Sequence, residues 1–189
     1  VFGATDRREY ERELVRAKQR AEASEVHALA LARTLEETLI PPALPAVPDL
    51  ELDAVYRPAG DGGEVGGAFY DVFEIAQGDW VVVVGDVCGK GVEAAVITAV
   101  ARHTIRAATV RHPDSREALV VLNEVLLRHP SDRFCTVVLI RLRQADRRWS
   151  ATISSAGHPL PLLVRPGEQP VEAGRPGSVA GVLRDPRFH

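Results

Sequence analysis

The spacing of apolar residues changes period twice along the chain. Over residues 6–40 a 4-3 spacing threads Tyr10, Leu14, Ala17, Ala21, Ser24, Ala28, Leu31 and Leu35, the seam expected of a coiled coil. Asp6 with Glu9 makes a capping-box pattern, strong helix formers follow, and Pro41-Pro42 stops the run, so one long helix is predicted. Its alanine-rich seam suits two placements. The helix either lies on its own domain through one apolar face, or forms a weak parallel dimer through Leu14, Leu31 and Leu35 that joins an upstream sensor domain to the rest of the chain.

Beyond residues 41–48 the period falls to two. Leu50, Leu52, Ala54 and Tyr56 alternate with Glu51, Asp53, Val55 and Arg57, which predicts a half-buried strand. After a glycine-rich loop at 60–67 come strands at 69–75 and 80–87, parted by the turn signal Gln77-Gly78-Asp79. Helical spacing returns at 92–109, with Val96, Val100 and His103 or Thr104 on one face. It continues at 115–128, where Ser115 is the expected cap and Leu119, Leu122 and Leu126 the stripe. Strands resume at 134–142, 149–155 and 160–165. Strands grouped before and after a helical pair predict an α+β layered domain over 42–189, behind a helical linker over 1–41.

Composition narrows the function classes. The 189 residues are 46% hydrophobic and 26% charged, which suits one globular domain with an appendage. A net charge of −3, with arginines scattered along the chain, offers no basic stripe for nucleic acid or anionic lipid. The strongest apolar runs, 80–84 and 136–140, are far shorter than the roughly 20 residues that span a bilayer. Cys88 and Cys135 lack CxxC spacing and read as small buried hydrophobes with reduced thiols, so a cytoplasmic location is expected. A start at Val1, with no methionine anywhere, reads as a fragment of a longer chain. Lysine occurs only at Lys18 and Lys90, as in a GC-rich bacterial genome.

The chemistry gathers where the strand at 80–87 runs into the first helix of the pair, at Gly85-Asp86-Val87-Cys88-Gly89-Lys90-Gly91. A P-loop needs four residues between its glycines and Ser or Thr after the lysine; this loop has neither. Asp86, at the end of a buried strand and followed by glycines, fits either a ligand for a hard cation or an N-cap for the helix near Gly91.

Five segments in order resemble the SpoIIE/RsbU branch of the PPM metal-dependent protein phosphatases. They are Arg57-Pro58-Ala59-Gly60, Gly66-Gly67-Ala68-Phe69-Tyr70-Asp71, the Asp86 loop with Ala94-Ala95, Asp132-Arg133-Phe134-Cys135-Thr136, and Ser155-Ala156-Gly157-His158-Pro159. The resemblance implies a two-sheet antiparallel sandwich flanked by helices. It also implies a binuclear Mn²⁺ or Mg²⁺ centre that activates water against phosphoserine or phosphothreonine. Asp86 matches the metal-bridging aspartate and Val87 the position that lends its main-chain carbonyl, with Gly67, Gly89 and Lys90 in the supporting loops. The implied substrate is a phosphorylated protein, by analogy an anti-sigma-factor antagonist.

Two departures stand against full activity. The family carries a metal-binding aspartate where this chain has Ala68, and Asp71, three strand positions on, faces the other way. The family's remaining acidic ligands are expected downstream of a stretch like 181–186, whereas this sequence ends at His189. An impaired phosphatase is therefore expected, with a catalytically silent partner-binding domain as the alternative. His158 resembles a structural Gly-His-Pro turn rather than an acid catalyst. Cys88 stands where more distant phosphatases carry histidine, and Lys90 suits either phosphate attraction or simple solvation.

Overall fold

The computed structural model describes residues 12–24, 26, 27, 30, 40, 41, 43–57, 66–146 and 148–189. Strands β1 (Ala68–Ala76) and β2 (Asp79–Val87) precede helices α1 (Val92–Arg111) and α2 (Ser115–Arg128), and strands β3 (Cys135–Ala145) and β4 (Arg148–Ala156) follow. All pair antiparallel in the order β1-β2-β3-β4, and a short ribbon joins β5 (Leu162–Leu163) to β6 (Val171–Glu172). This is the expected α+β class, with an antiparallel sheet and a helical pair on one face.

Strand alternation sorts the two faces. Val81, Val83 and Val87 of β2, with Cys135, Val137 and Leu139 of β3, point into a core closed by Ile97, Ala101 and Ile105 of α1 and Leu119, Leu122 and Leu126 of α2. Ala94, Ala95 and Ala101 let α1 approach the sheet closely, and each larger aliphatic side chain in the core contributes about 1.5–3 kcal/mol relative to exposure. On the opposite face Val72 and Trp80 gather Val47, with partly buried Leu44, Leu50, Leu52, Leu142 and Trp149 around them.

That second cluster explains the largest difference from the sequence reading. Residues 51–57 form no strand; Leu50 makes only an isolated bridge to Val47. The alternation survives only in part as burial: Leu50, Leu52 and Tyr56 are half-buried while Glu51, Asp53 and Val55 are exposed, but Ala54, expected on the inner side, is exposed too. A ladder needs a facing strand as well as a buried stripe, and here the stripe packs on side chains instead. The strand expected at 160–165 shrinks to Leu162–Leu163, since Pro161 and Pro166 have no N–H to give and Pro161 serves only as an acceptor, from Ala173 N.

The cap of α2 also moves by one residue. Asp114, with φ −91° and ψ 120°, accepts from Arg116 N at 2.9 Å, while Ser115 is already helical and buried. Asp114→Ala is expected to cost about 1 kcal/mol, read as a lower urea midpoint at unchanged m. No change would mean that the exposed Arg116 pair and the cap contribute nothing.

Two polar ties fasten the helices and the C-terminal segment to the sheet. Arg141 is forked onto Asp79 at 2.8 and 2.7 Å and donates to the carbonyls of His112 and Pro113, holding β3 to the α1–α2 connection. Burial alone would raise the Asp79 carboxyl, but Arg141 and Arg143 outweigh it and hold the group below its ordinary value. Asn123, buried in α2, donates to Leu183 O and accepts from Gly181 N, while Ala180 exchanges both backbone bonds with Cys135.

At the other end of the chain, residues 12–24 are helical and each is exposed, Leu14 by 60%. No side chain in this stretch is buried against the domain. Leu31 and Leu35 lie outside the described residues. No helix among the described residues is long and apolar enough to cross a membrane.

Candidate functional site

The sheet register sets the residues singled out from sequence side by side. Ala68 is the Cα partner of Asp86, and Asp86 is the partner of Thr136, so one row crosses β1, β2 and β3 at the same end of the sheet. All three lie on the face away from the helices, where Ala68 and Asp86 are exposed and Thr136 is half-buried. His158 joins the row from the turn after β4, with Nδ1 2.9 Å from Thr136 Oγ1. The Thr136 hydroxyl also reaches the Asp86 carbonyl at 3.4 Å. Burial pushes the His158 imidazole below its ordinary value against the opposing pull of Asp86.

The loops around this row leave no room for a side chain at positions 67 and 89. A Cβ at position 67 would collide with the Val87 carbonyl, and the Gly67 carbonyl accepts from Val87 N at 3.0 Å and from Thr98 Oγ1 at 3.3 Å. The start of β1 is thereby pinned to the end of β2 and to α1. Gly89 takes φ +93°, and any side chain there would strike the Arg133 guanidinium. Arg133 donates to Cys88 O at 2.7 Å and to Glu93 Oε2 at 2.9 Å, and Cys88 N donates to Phe134 O. Lys90 is exposed in this loop, and Gly91 opens α1 without a side-chain cap, so Asp86 is not its N-cap.

Arg133 and Thr136 belong to a segment noted in the sequence, but neither role was legible there. Only the fold brings them within reach of residues 88–93 and of His158. Cys135, by contrast, behaves as expected: it is fully buried, and burial first, then the Asp86 charge, pushes its thiol up beyond any physiological titration. The thiols of Cys88 and Cys135 are both free.

Asp71 leaves the site altogether. It is 1% exposed on the helix face, bound to Arg102 Nε at 3.0 Å and Arg106 Nη2 at 3.3 Å, with Arg106 lying 4.4 Å over the Phe73 ring. Its acid holds α1 to β1 and is turned away from Asp86.

These donors do not fit a two-ion centre. Among the described residues no three His, Cys, Asp or Glu side chains converge, and the neighbours of Asp86 along its row are a methyl group and a hydroxyl.

Comparison with known proteins agrees with this layout. The family described as Stage II sporulation protein E (SpoIIE) matches residues 76–189. Protein IcfG of Synechocystis sp. is 35% identical over 74 residues, which are 39% of this chain and 11% of IcfG. The RsbU and RsbW domains of a Mycobacterium tuberculosis protein superpose with a TM-score of 0.58 at 26% identity, covering 70% of this chain and 37% of that one. The PP2C phosphatase domain of SpoIIE from Bacillus subtilis, with a fragment of its regulatory domain, gives 0.52 at 19%, covering 70% and 39%. The SiaA-PP2C domain of Pseudomonas aeruginosa gives 0.51 at 24%, covering 92% and 67%. At those last two identities the likeness is one of fold, and the chain spans about a tenth of IcfG.

Proposed function

Because the chain belongs to the SpoIIE family, we propose that it is a protein serine/threonine phosphatase domain whose metal centre is impaired by alanine at position 68. The coarser statement, a PP2C-type phosphatase domain of the SpoIIE/RsbU kind, follows from the family and the structural neighbours. The impairment rests on one observation, the pairing of Ala68 with Asp86 across β1 and β2. Directly opposed residues in an antiparallel pair place their Cβ atoms about 4.5–5.5 Å apart. Two carboxylates there would lie within reach of shared Mn²⁺ or Mg²⁺ ions, with the Val87 main-chain carbonyl as a further donor. A methyl opposite one carboxylate holds them weakly.

The proposed substrate is a phosphorylated protein, by analogy with RsbU an anti-sigma-factor antagonist, met in the cytoplasm. The exposed helix at residues 12–24 supports a linker role, with a homodimer through Leu14, Leu31 and Leu35 carrying a signal from an upstream sensor domain. A second reading, a silent phosphatase-like domain that binds a partner, is favoured by the same alanine. Phosphate release from a phosphoserine protein in Mn²⁺ separates the two. The impaired enzyme retains slow turnover that Asp86→Asn abolishes, and turnover indifferent to Asp86→Asn would refute the assignment.

A further inference from the structure

The turn after β4 does not need the His158 ring. Gly157, at φ +71° with no room for a Cβ against Val179, makes the bend, and Ser155 Oγ donates to the His158 carbonyl at 3.3 Å. The imidazole leaves the turn and meets Thr136 of β3, with Nδ1 2.9 Å from the hydroxyl oxygen. Thr136 is the direct Cα partner of Asp86, and such partners place their Cβ atoms about 4.5–5.5 Å apart. One hydroxyl therefore separates the ring from Asp86, at an end of the sheet where Ala68 and Asp86 are exposed to water.

Proton counting assigns the ring nitrogens. The Thr136 hydroxyl has one hydrogen and two neighbours, Nδ1 and the Asp86 carbonyl at 3.4 Å, and the carbonyl can only accept. Both contacts are hydrogen bonds only if Nδ1–H donates to Oγ1 and Oγ1–H donates to the carbonyl. The reverse arrangement spends the hydroxyl proton on Nδ1 and turns two oxygen lone pairs towards each other. Nδ1 therefore carries the proton and Nε2 keeps a lone pair. Nε2 has no hydrogen-bond partner among the described residues and is not sealed from solvent. Burial, which pushes the imidazole below its ordinary value, favours this form with one bare nitrogen.

We infer that His158 Nε2 is a catalytic base at the Asp86 row, with Thr136 the positioning residue that fixes its tautomer. The inference rests on the phosphatase reading of the same row. As the oxygen of a water bonds to phosphorus, its proton passes to Nε2 and the bond from phosphorus to the serine oxygen breaks. The proton then moves from Nε2 to that serine oxygen, leaving phosphate and unmodified serine. Between the two transfers the ring is positive, and the Thr136 oxygen, backed by the Asp86 carbonyl, accepts from its Nδ1–H. A carboxylate orients the histidine of a Ser-His-Asp triad by the same logic.

Ring-nitrogen NMR of the metal-free 1–189 chain should show His158 protonated at Nδ1 and bare at Nε2, with the two tautomers mixed in Thr136→Val. A proton on Nε2 in the parent chain would overturn the inference and leave the phosphatase reading standing. Turnover in Mn²⁺ is then followed with a phosphoserine protein and with p-nitrophenyl phosphate, whose leaving group needs no proton. His158→Gln should lower kcat about 100-fold on both at unchanged KM. Thr136→Val should lower it about 10-fold, the worth of one hydrogen bond, and Thr136→Ser should restore it. A loss confined to the phosphoserine protein would make His158 an acid towards the leaving serine and overturn its role as base. So would turnover that Asp86→Asn abolishes and His158→Gln leaves intact. No turnover in the parent chain would refute the phosphatase reading and the base with it.

Discussion

Ala68→Asp is expected to raise the affinity for Mn²⁺ by at least about 10-fold. Changes outside the ligand set alone move metal affinity or activity by about 10- to 100-fold, and supplying a missing carboxylate should do at least that. The physical reason is the row itself. Asp86 and position 68 are Cα partners on one exposed face, so the new carboxylate arrives beside the existing one without any movement of the backbone. The same geometry imposes a cost. Like charges directly opposed across two strands repel, so the variant without metal should melt below the parent and recover when Mn²⁺ is added. Calorimetric titration gives the affinity, thermal unfolding with and without Mn²⁺ gives the linkage, and phosphate release from a phosphoserine protein gives the activity. Equal Mn²⁺ affinity in parent and variant, together with an unchanged melting temperature in its absence, would show that position 68 is not part of a metal site.

Asp71→Ala should be the most damaging single truncation at a charged position of the sheet. The carboxylate is 1% exposed between Arg102 and Arg106, and Arg102 is itself only 14% exposed along its side chain. Removing one partner of a buried ion pair leaves the other charge desolvated, at a cost of about 3–5 kcal/mol. The lower end applies here, because Arg106 is 46% exposed and water screens its share. With an m value of about 2 kcal/mol/M in urea, the midpoint should fall by roughly 1.5 M. Arg106→Ala should move it far less, losing mainly the packing over Phe73. If Asp71→Ala unfolded within about 1 kcal/mol of the parent, the pair would be ornamental and the acid would need another explanation.

Asp71 and Ala68 also show how far one dimension reaches. Strand periodicity alone placed them on opposite faces, and the register confirms it, because side-chain direction alternates whatever the strand pairs with. The helices expected at 92–109 and 115–128, the four main strands and the buried state of Cys135 were readable from local spacing, but the face marked on the first helix was not the buried one: Val96 is 43% exposed and Ile97, Ala101 and Ile105 face the core instead. Asp114 against Ser115 was decided by one residue's φ and ψ, which neighbouring cap-competent residues leave open.

Local pattern could not decide who faces whom. The alternation at 50–56 matches burial at Leu50, Leu52 and Tyr56 but not at Ala54, and whether it becomes a strand depends on a free edge contributed by residues elsewhere in the chain. Arg133 braces the loop around Gly89 from more than forty residues away, and Thr136 meets His158 only because β3 and β4 pair in one register. Residue types and their faces are properties of the chain over a few residues, whereas contacts between distant segments exist only once the sheet has closed and chosen its register.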